Sequence, residues 1–492
     1  MKKLMDGQIL MQNNVGGLYP YMFKKEDGIY YSDQCQSAVS LLSEEERVID
    51  EASVYSMLCY GYICGDRTLI RNLFRLPWLT EFHSSGELVH HSVEPYNLEE
   101  SPPKEIAKQL IAALSKEIRE QCQNYDHIYL LLSGGMDSRV VAAILRQLEK
   151  NGEIQGRIHA VTWGKNNSRD VVYAQKISEL FQWEWHYAEL NESYLLSNFE
   201  LAAVKLGAEI SPAHLHRFNW FERLGKDSIV LAGSYGDSIG RAEYSSVHAS
   251  RLKPHCPRER YSLLNTELLN DVDAELKKEL AQFRARYKEA SYEQLNEYEM
   301  QAHYLRRMLG NAANLIMNWT HFYQAFTAKE VFTLMWKYRH TVRNDQIYFE
   351  LLQMIEPKLL DLAWARTGNK YGGDGEGDTL SKKHHDYGLW LRKHCSDFME
   401  EHLFNQQMHK LNLFDMKQLA FMYKEWRKEP AAIHSKLGDR LSWITVLSLF
   451  VNHYGLQSRS QRVKRSIIDI PKLKAKIYEK TYRIGKSIQY KA

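Results

Sequence analysis

Between residues 106 and 122 apolar side chains return every third or fourth position, the spacing of a helix with one buried face. A short apolar run over residues 127–132 then ends in two glycines, and residues 138–150 resume the helical spacing. The rhythm continues with a β-type run at 158–163, a helix at 170–181, a strand near 185–187 and another at 228–232. Strands alternating with helices predict an α/β fold, a parallel sheet covered by helices on both faces. Past about residue 284 strands nearly disappear, and the pattern to about 455 predicts a helical C-terminal subdomain interrupted by the loop 372–378.

Residues 1–93 read as a small α+β unit, with β-type runs such as 28–31, a helical stretch from Ala52 and a strand-rich end. Residues 94–103 carry three of the chain's 11 prolines, so 94–104 reads as a linker. The main domain is then expected over 105–455 and a tail over 456–492, with no internal repeat of fixed period.

Composition narrows the class. With 44% hydrophobic and 25% charged residues, and a mean hydropathy of -0.49, the 492-residue chain is of the soluble globular kind. No apolar stretch is long enough for a transmembrane segment, and the first residues are too short and polar for a secretory signal, so a cytoplasmic location is expected. The six cysteines show no two-residue spacing, which favours reduced, mostly buried thiols over a metal knuckle. A net charge of +3 gives no reason to expect nucleic-acid binding by the body of the chain. Residues 457–492, with eleven Lys/Arg against two acids, carry +9 and are expected either to be solvated or to meet an acidic partner or surface.

The strongest chemical signal is Ser133-Gly134-Gly135-Met136-Asp137-Ser138, placed directly after a strand and before a helix. Two glycines permit a tight turn whose N–H groups face an anion, the serines add hydroxyls, and the helix offers its positive end. No Lys of a Walker A loop is present, so this phosphate cradle is of another kind. Asp137 is expected to orient the loop or to help hold Mg²⁺.

This motif resembles the SGGxDS pyrophosphate loop of the ATP pyrophosphatases, and the order of the remaining pieces is similar to the asparagine synthetase family. The strand ending at Trp163, with Asp170 and Ala174 beyond it, resembles the family's second strand, and Ala232-Gly233-Ser234-Tyr235-Gly236-Asp237 stands where the family has S-G-E-G-x-D-E. The resemblance implies an adenine nucleotide alpha hydrolase-like fold and an ATP-dependent, AMP-forming amide ligase. ATP would lie on Leu132, Ser133, Gly134, Gly135, Asp137, Ser138, Trp163, Ala232 and Gly233. Asp137 and Asp237 would be catalytic and hold Mg²⁺. Residues 28–42 and 65–77 resemble the last third of the family's glutaminase domain, and Lys2 stands where glutamine-hydrolysing members carry their nucleophilic cysteine. The expectation is therefore a small-molecule or peptide carboxylate, joined to free ammonia, ammonia from a partner protein or an amine on the substrate, without glutamine hydrolysis.

Ser234 stands where the family has a glutamate and Ser238 where it has another acid, and the pyrophosphate lysine is left open among Lys370, Lys382 and Lys383. Gly236-Asp237-Ser238-Ile239-Gly240 matches a nucleophile elbow in letters, but Ser238 lies too far past the strand. His214, His216, His384 and His385 read as surface or hydrogen-bonded histidines. Loop 372–378 reads as solvated, with a mobile lid or a cation-binding loop as the alternatives. Three other functions share the same loop: peptide macrolactam synthesis of the lasso type, tRNA modification, for which Cys122 is the near cysteine, and a non-catalytic nucleotide-binding scaffold.

Overall fold

The computed structural model describes residues 9–12, 16–17, 20–26, 28–83, 87–91, 99–245, 258–374, 376–430, 433–459 and 478. Cys256, the first part of the expected linker, residues 94–98, and nearly all of the basic tail lie outside the described residues. The N-terminal unit has two antiparallel three-stranded sheets. One orders β3 (Gly28–Ser32), β2 (Tyr21–Lys25) and β4 (Phe74–Arg75); the other orders β1 (Ile9–Gln12), β5 (Thr80–His83) and β6 (Leu88–His90). Helices α1 (Cys35–Val39) and α2 (Glu51–Tyr60) complete it.

The main sheet is parallel throughout. β7 (His127–Leu131) pairs with β8 (Arg157–Gly164) and with β10 (Ser228–Ala232), and β9 (Glu184–Glu189) closes the β8 edge. Every residue of β10 is buried, as expected of a central strand covered on both faces. Its side chains divide by period two: Ile229 and Leu231 enter one core, and Val230 enters the other. The first core also takes Ile128, Leu130 and Ala160, packed on α3 (Pro103–Cys122), α4 (Met136–Lys150) and α5 (Arg169–Phe181). The second joins Val161 and Ala188 to Phe218, Trp220 and Phe221 and runs on into the N-terminal unit and the C-terminal helices.

Two boundaries differ from the sequence expectation. A fifth strand, His321–Gln324, pairs in parallel with β10 as β11, so the sheet draws its last strand from the region expected to be a helical subdomain nearly free of strands. The last residues assigned to the linker, Pro103 and Lys104, form the first turn of α3, because proline fits the start of a helix where its missing N–H costs nothing.

Among the described helices, Lys436–Tyr454 (numbered α16 in chain order) is buried nearly all round. Ser435 caps its start by accepting from the Gly438 N–H, and Gly455 in the left-handed region ends it. It binds the units together: the Arg440 Nε–H donates to Leu58 O at 2.9 Å and the Trp443 indole N–H to Ala208 O at 2.8 Å. Beside it Arg75 of β4 and Arg307 of the C-terminal half both pair with Glu209, and all three side chains are fully buried. Among the described residues, no helix is long and apolar enough to cross a membrane.

Candidate active site

The strand-to-helix loop is braced by its own hydroxyls. Ser133 N–H donates to Ser138 Oγ at 3.1 Å, the two serine oxygens lie 3.0 Å apart, and Gly135 N–H donates to Ser133 Oγ at 3.1 Å. Gly134 N–H donates to Asp170 at 3.2 Å. These amides are therefore engaged within the loop. What faces the cleft with positive character is the first turn of α4, which no side chain caps. Arg139 pins the loop from behind, donating to the carbonyls of Gly134, Leu359, Leu362 and Ala363; burial pushes its guanidinium down to about 10.

The segment after β10 comes up against this turn. A Cβ on Gly233 would lie 2.7 Å from Ser138 N, and one on Gly236 would lie 2.6 Å from Asp137 Oδ1, so both positions require glycine. Tyr235 between them takes a left-handed backbone, φ 71°. The tight turn brings Asp237 beside Asp137. Burial and the Asp137 carboxylate push Asp237 up to about 7. Arg241, one turn further on, clasps both oxygens of Asp137 at 3.2 and 2.9 Å and also pairs with Glu243 and Asp345.

These elements border a cleft of about 520 Å³ lined by Leu132, Ser133, Asp137, Ser138, Trp163, Ala232 and Gly233. Gly134, Gly135 and Asp237 stand behind that surface rather than on it. The Trp163 indole stacks on His216 at 5.6 Å and meets Phe218 edge-on, so its face is already covered. Of the histidines read as surface or hydrogen-bonded, His214, His216 and His384 form part of the cleft wall, and His216 is hydrogen-bonded. Burial holds His216 well below its usual range, and its Nδ1 lies 2.7 Å from the Tyr387 hydroxyl. The far end of the cleft is apolar, with Tyr304, Met308, Ala312 and Phe322 around one polar pair: the Gln324 amide donates to Ser234 Oγ at 2.8 Å.

The sequence reading missed Arg241 and Gln324, which reach Asp137 and Ser234 from positions outside those motifs. None of the three lysines lines the cleft. Lys370 pairs with Asp361, Lys383 with Asp386, and Lys382 is exposed. Ser238 is buried and donates to Tyr235 O, a structural bond. Loop 372–378 is not simply solvated: Asp378 pairs with Arg169 at 3.0 Å and accepts from the Tyr173 hydroxyl, tying the loop to α5.

Residues 109–346 match the family model for asparagine synthase. This stretch, just under half of the chain, resembles asparagine synthase. A relative from Gallus gallus, asparagine synthetase [glutamine-hydrolyzing], is 26% identical over 207 residues, which cover 39% of this chain and 36% of that protein. The match thus spans about a third of the relative's length. Among solved structures, NMN synthetase from Francisella tularensis is similar over 41% of this chain and 94% of that one, at 16% identity and a TM-score of 0.22. A U34-tRNA thiolase from Methanococcus maripaludis is similar over 42% and 83%, at 15% identity and a TM-score of 0.22. In this asparagine synthase-like stretch the SGGxDS loop, the Trp163 strand end and the Gly233 turn all border one cleft.

Proposed function

We propose that the domain is an ATP-dependent, AMP-forming ligase that joins a carboxylate to an amine. The observation that carries this reading is the convergence of the uncapped start of α4, Trp163 and Asp137 at one cleft, with Asp237 directly behind Asp137. The phosphates would lie against the first turn of α4 with the adenine toward Trp163. A substrate carboxylate oxygen attacks the α-phosphorus, pyrophosphate leaves, and the amine then displaces AMP from the acyl carbon to give an amide. Asp137 and Asp237 fit Mg²⁺: two adjacent carboxylates, one pushed up to about 7, offer an oxygen donor set that Arg241 pairs with only at Asp137. Such an ion would neutralise phosphate charge. Arg241, already on Asp137, steadies that carboxylate, and the chain's contribution is positioning and fixed charge.

The acceptor half is apolar around Ser234 and Gln324, an arrangement suited to a small-molecule or peptide carboxylate recognised by hydroxyl and amide groups. Glutamine hydrolysis is not part of the proposal. Burial pushes Cys35 and Cys64 of the N-terminal unit up to about 12, and Cys59 well above its usual range, so none is a nucleophilic thiolate at neutral pH. The amine is then ammonia, free or supplied by a partner protein, or a group on the substrate. Cys122 gives no support to tRNA thiolation, since it lies before β7 at the end of the sheet away from the loop, pushed up to about 12. A cytoplasmic setting suits the five described cysteines, all free.

The test is product identity. With Mg·ATP and a fractionated pool of carboxylates and amines, phosphorus NMR is expected to show AMP and pyrophosphate in equal amounts. ADP and phosphate would overturn the proposal.

A further inference from the structure

At the other end of the same sheet lies a cluster that the ligase reading does not use. The β8–β9 register sets His159 opposite Glu184 and Val161 opposite His186, and the period of two puts Glu184 and His186 on one face of β9. His159 Nδ1 lies 3.1 Å from His186 Nε2 and 3.4 Å from a Glu184 oxygen, and His186 Nε2 lies 3.6 Å from the other oxygen. Bond lengths of about 2.0–2.1 Å around a tetrahedral ion require ligand atoms about 3.3 Å apart. The two nitrogens meet that spacing, each has a Glu184 oxygen at a similar distance, and one ligand atom from each of the three residues lies within 4.8 Å of the others.

We propose that His159, His186 and Glu184 bind one divalent transition-metal ion of the zinc class, separate from the nucleotide cleft. Two imidazoles and one carboxylate suit zinc, and the fourth position opens toward solvent where Glu184 is 42% exposed. The rings are already oriented. His127 Nδ1 lies 3.1 Å from His159 Nε2; taking that N–H leaves the His159 Nδ1 lone pair aimed at the ion, the outer-shell support that ligating histidines require. Tyr129 stacks on His159 at 4.5 Å, and Trp220 packs against His186 at 5.2 Å. Arg157 pairs with Glu184 at 2.9 Å and holds its carboxylate without covering both oxygens. His159 lies four residues before Trp163 on β8, about 13 Å along the strand. The ion would cross-link edge strand β9 to β8, a structural role.

The experiment uses the full chain, stripped with a chelator and titrated with Zn²⁺ in competition with a chromophoric chelator. One tight equivalent per chain is expected. Glu184→Gln and His186→Ala are each expected to weaken it at least 100-fold, whereas His409→Ala, at an exposed site elsewhere, leaves it unchanged. Glu184→Gln preserves shape on an edge strand, and circular dichroism verifies that it is folded. Zn²⁺ is expected to raise the melting temperature of the wild type and not of these two variants, and Co²⁺ to give the visible bands of a four-coordinate N/O site. A wild type with no tight equivalent, or variants that keep both the equivalent and the thermal shift, would overturn the site.

Discussion

A single methyl group is expected to disturb the cleft. Gly233→Ala places a Cβ 2.7 Å from the backbone of α4's first turn, where neither partner is a flexible side chain. Overpacking of this kind costs about 1–3 kcal/mol, and here it falls on the turn proposed to face the phosphates. Calorimetric titration is expected to show Mg·ATP binding weakened about tenfold, with the fold retained. A second test concerns charge. Burial opposes ionisation of His434, yet Asp439 at 2.8 Å holds it above its usual range, and the same pairing holds the buried Asp439 below the carboxylate range. The raised histidine stabilises the fold below its unfolded value near 6.5, and this is lost as pH rises through its folded value. The lowered aspartate stabilises above about 3.9, and this is lost as pH falls. Denaturant melts should therefore show His434→Gln costing most between about pH 4 and 6.5, about 1.5–3 kcal/mol, and clearly less by about pH 9. Asp137 and Gly233 were legible because their neighbours in sequence are their neighbours in space. Arg241 was not, since it reaches Asp137 across 104 positions.

Strands β7, β8 and β10 were legible because apolar runs bounded by polar turns mark them. β11 was not: of His321, Phe322, Tyr323 and Gln324 only the last is buried, so no apolar run marks this edge strand. The N-terminal unit is fastened to the rest by the buried Arg75–Glu209–Arg307 set. Glu209→Gln leaves two buried cations without their counter-charge, and chemical denaturation is expected to show a loss of about 3–5 kcal/mol. A loss under 1 kcal/mol would mean that the set carries little of the seam. In the same unit, buried thiols predict that the protein releases no glutamate from glutamine. Glutamate release abolished by thiol alkylation would contradict that.

At the scale of the whole molecule, the two cores on either face of the sheet place the nucleotide cleft at the strands' C-terminal ends and the histidine cluster at the other. The half of the cleft that holds Ser133, Asp137 and Ser138 was readable from one motif and its context. The apolar half was not, because Tyr304, Met308 and Gln324 carry no motif of their own and meet Ser234 from segments far apart in sequence. The central claim is that this cleft holds Mg·ATP through the loop and its paired aspartates. The most direct measurement is calorimetric titration of the full chain with Mg²⁺ and an ATP analogue blocked between the α- and β-phosphates. One site per chain is predicted, with affinity reduced at least tenfold in Asp137→Asn and in Asp237→Asn. An absence of binding, or equal binding by both variants and the wild type, would contradict the account.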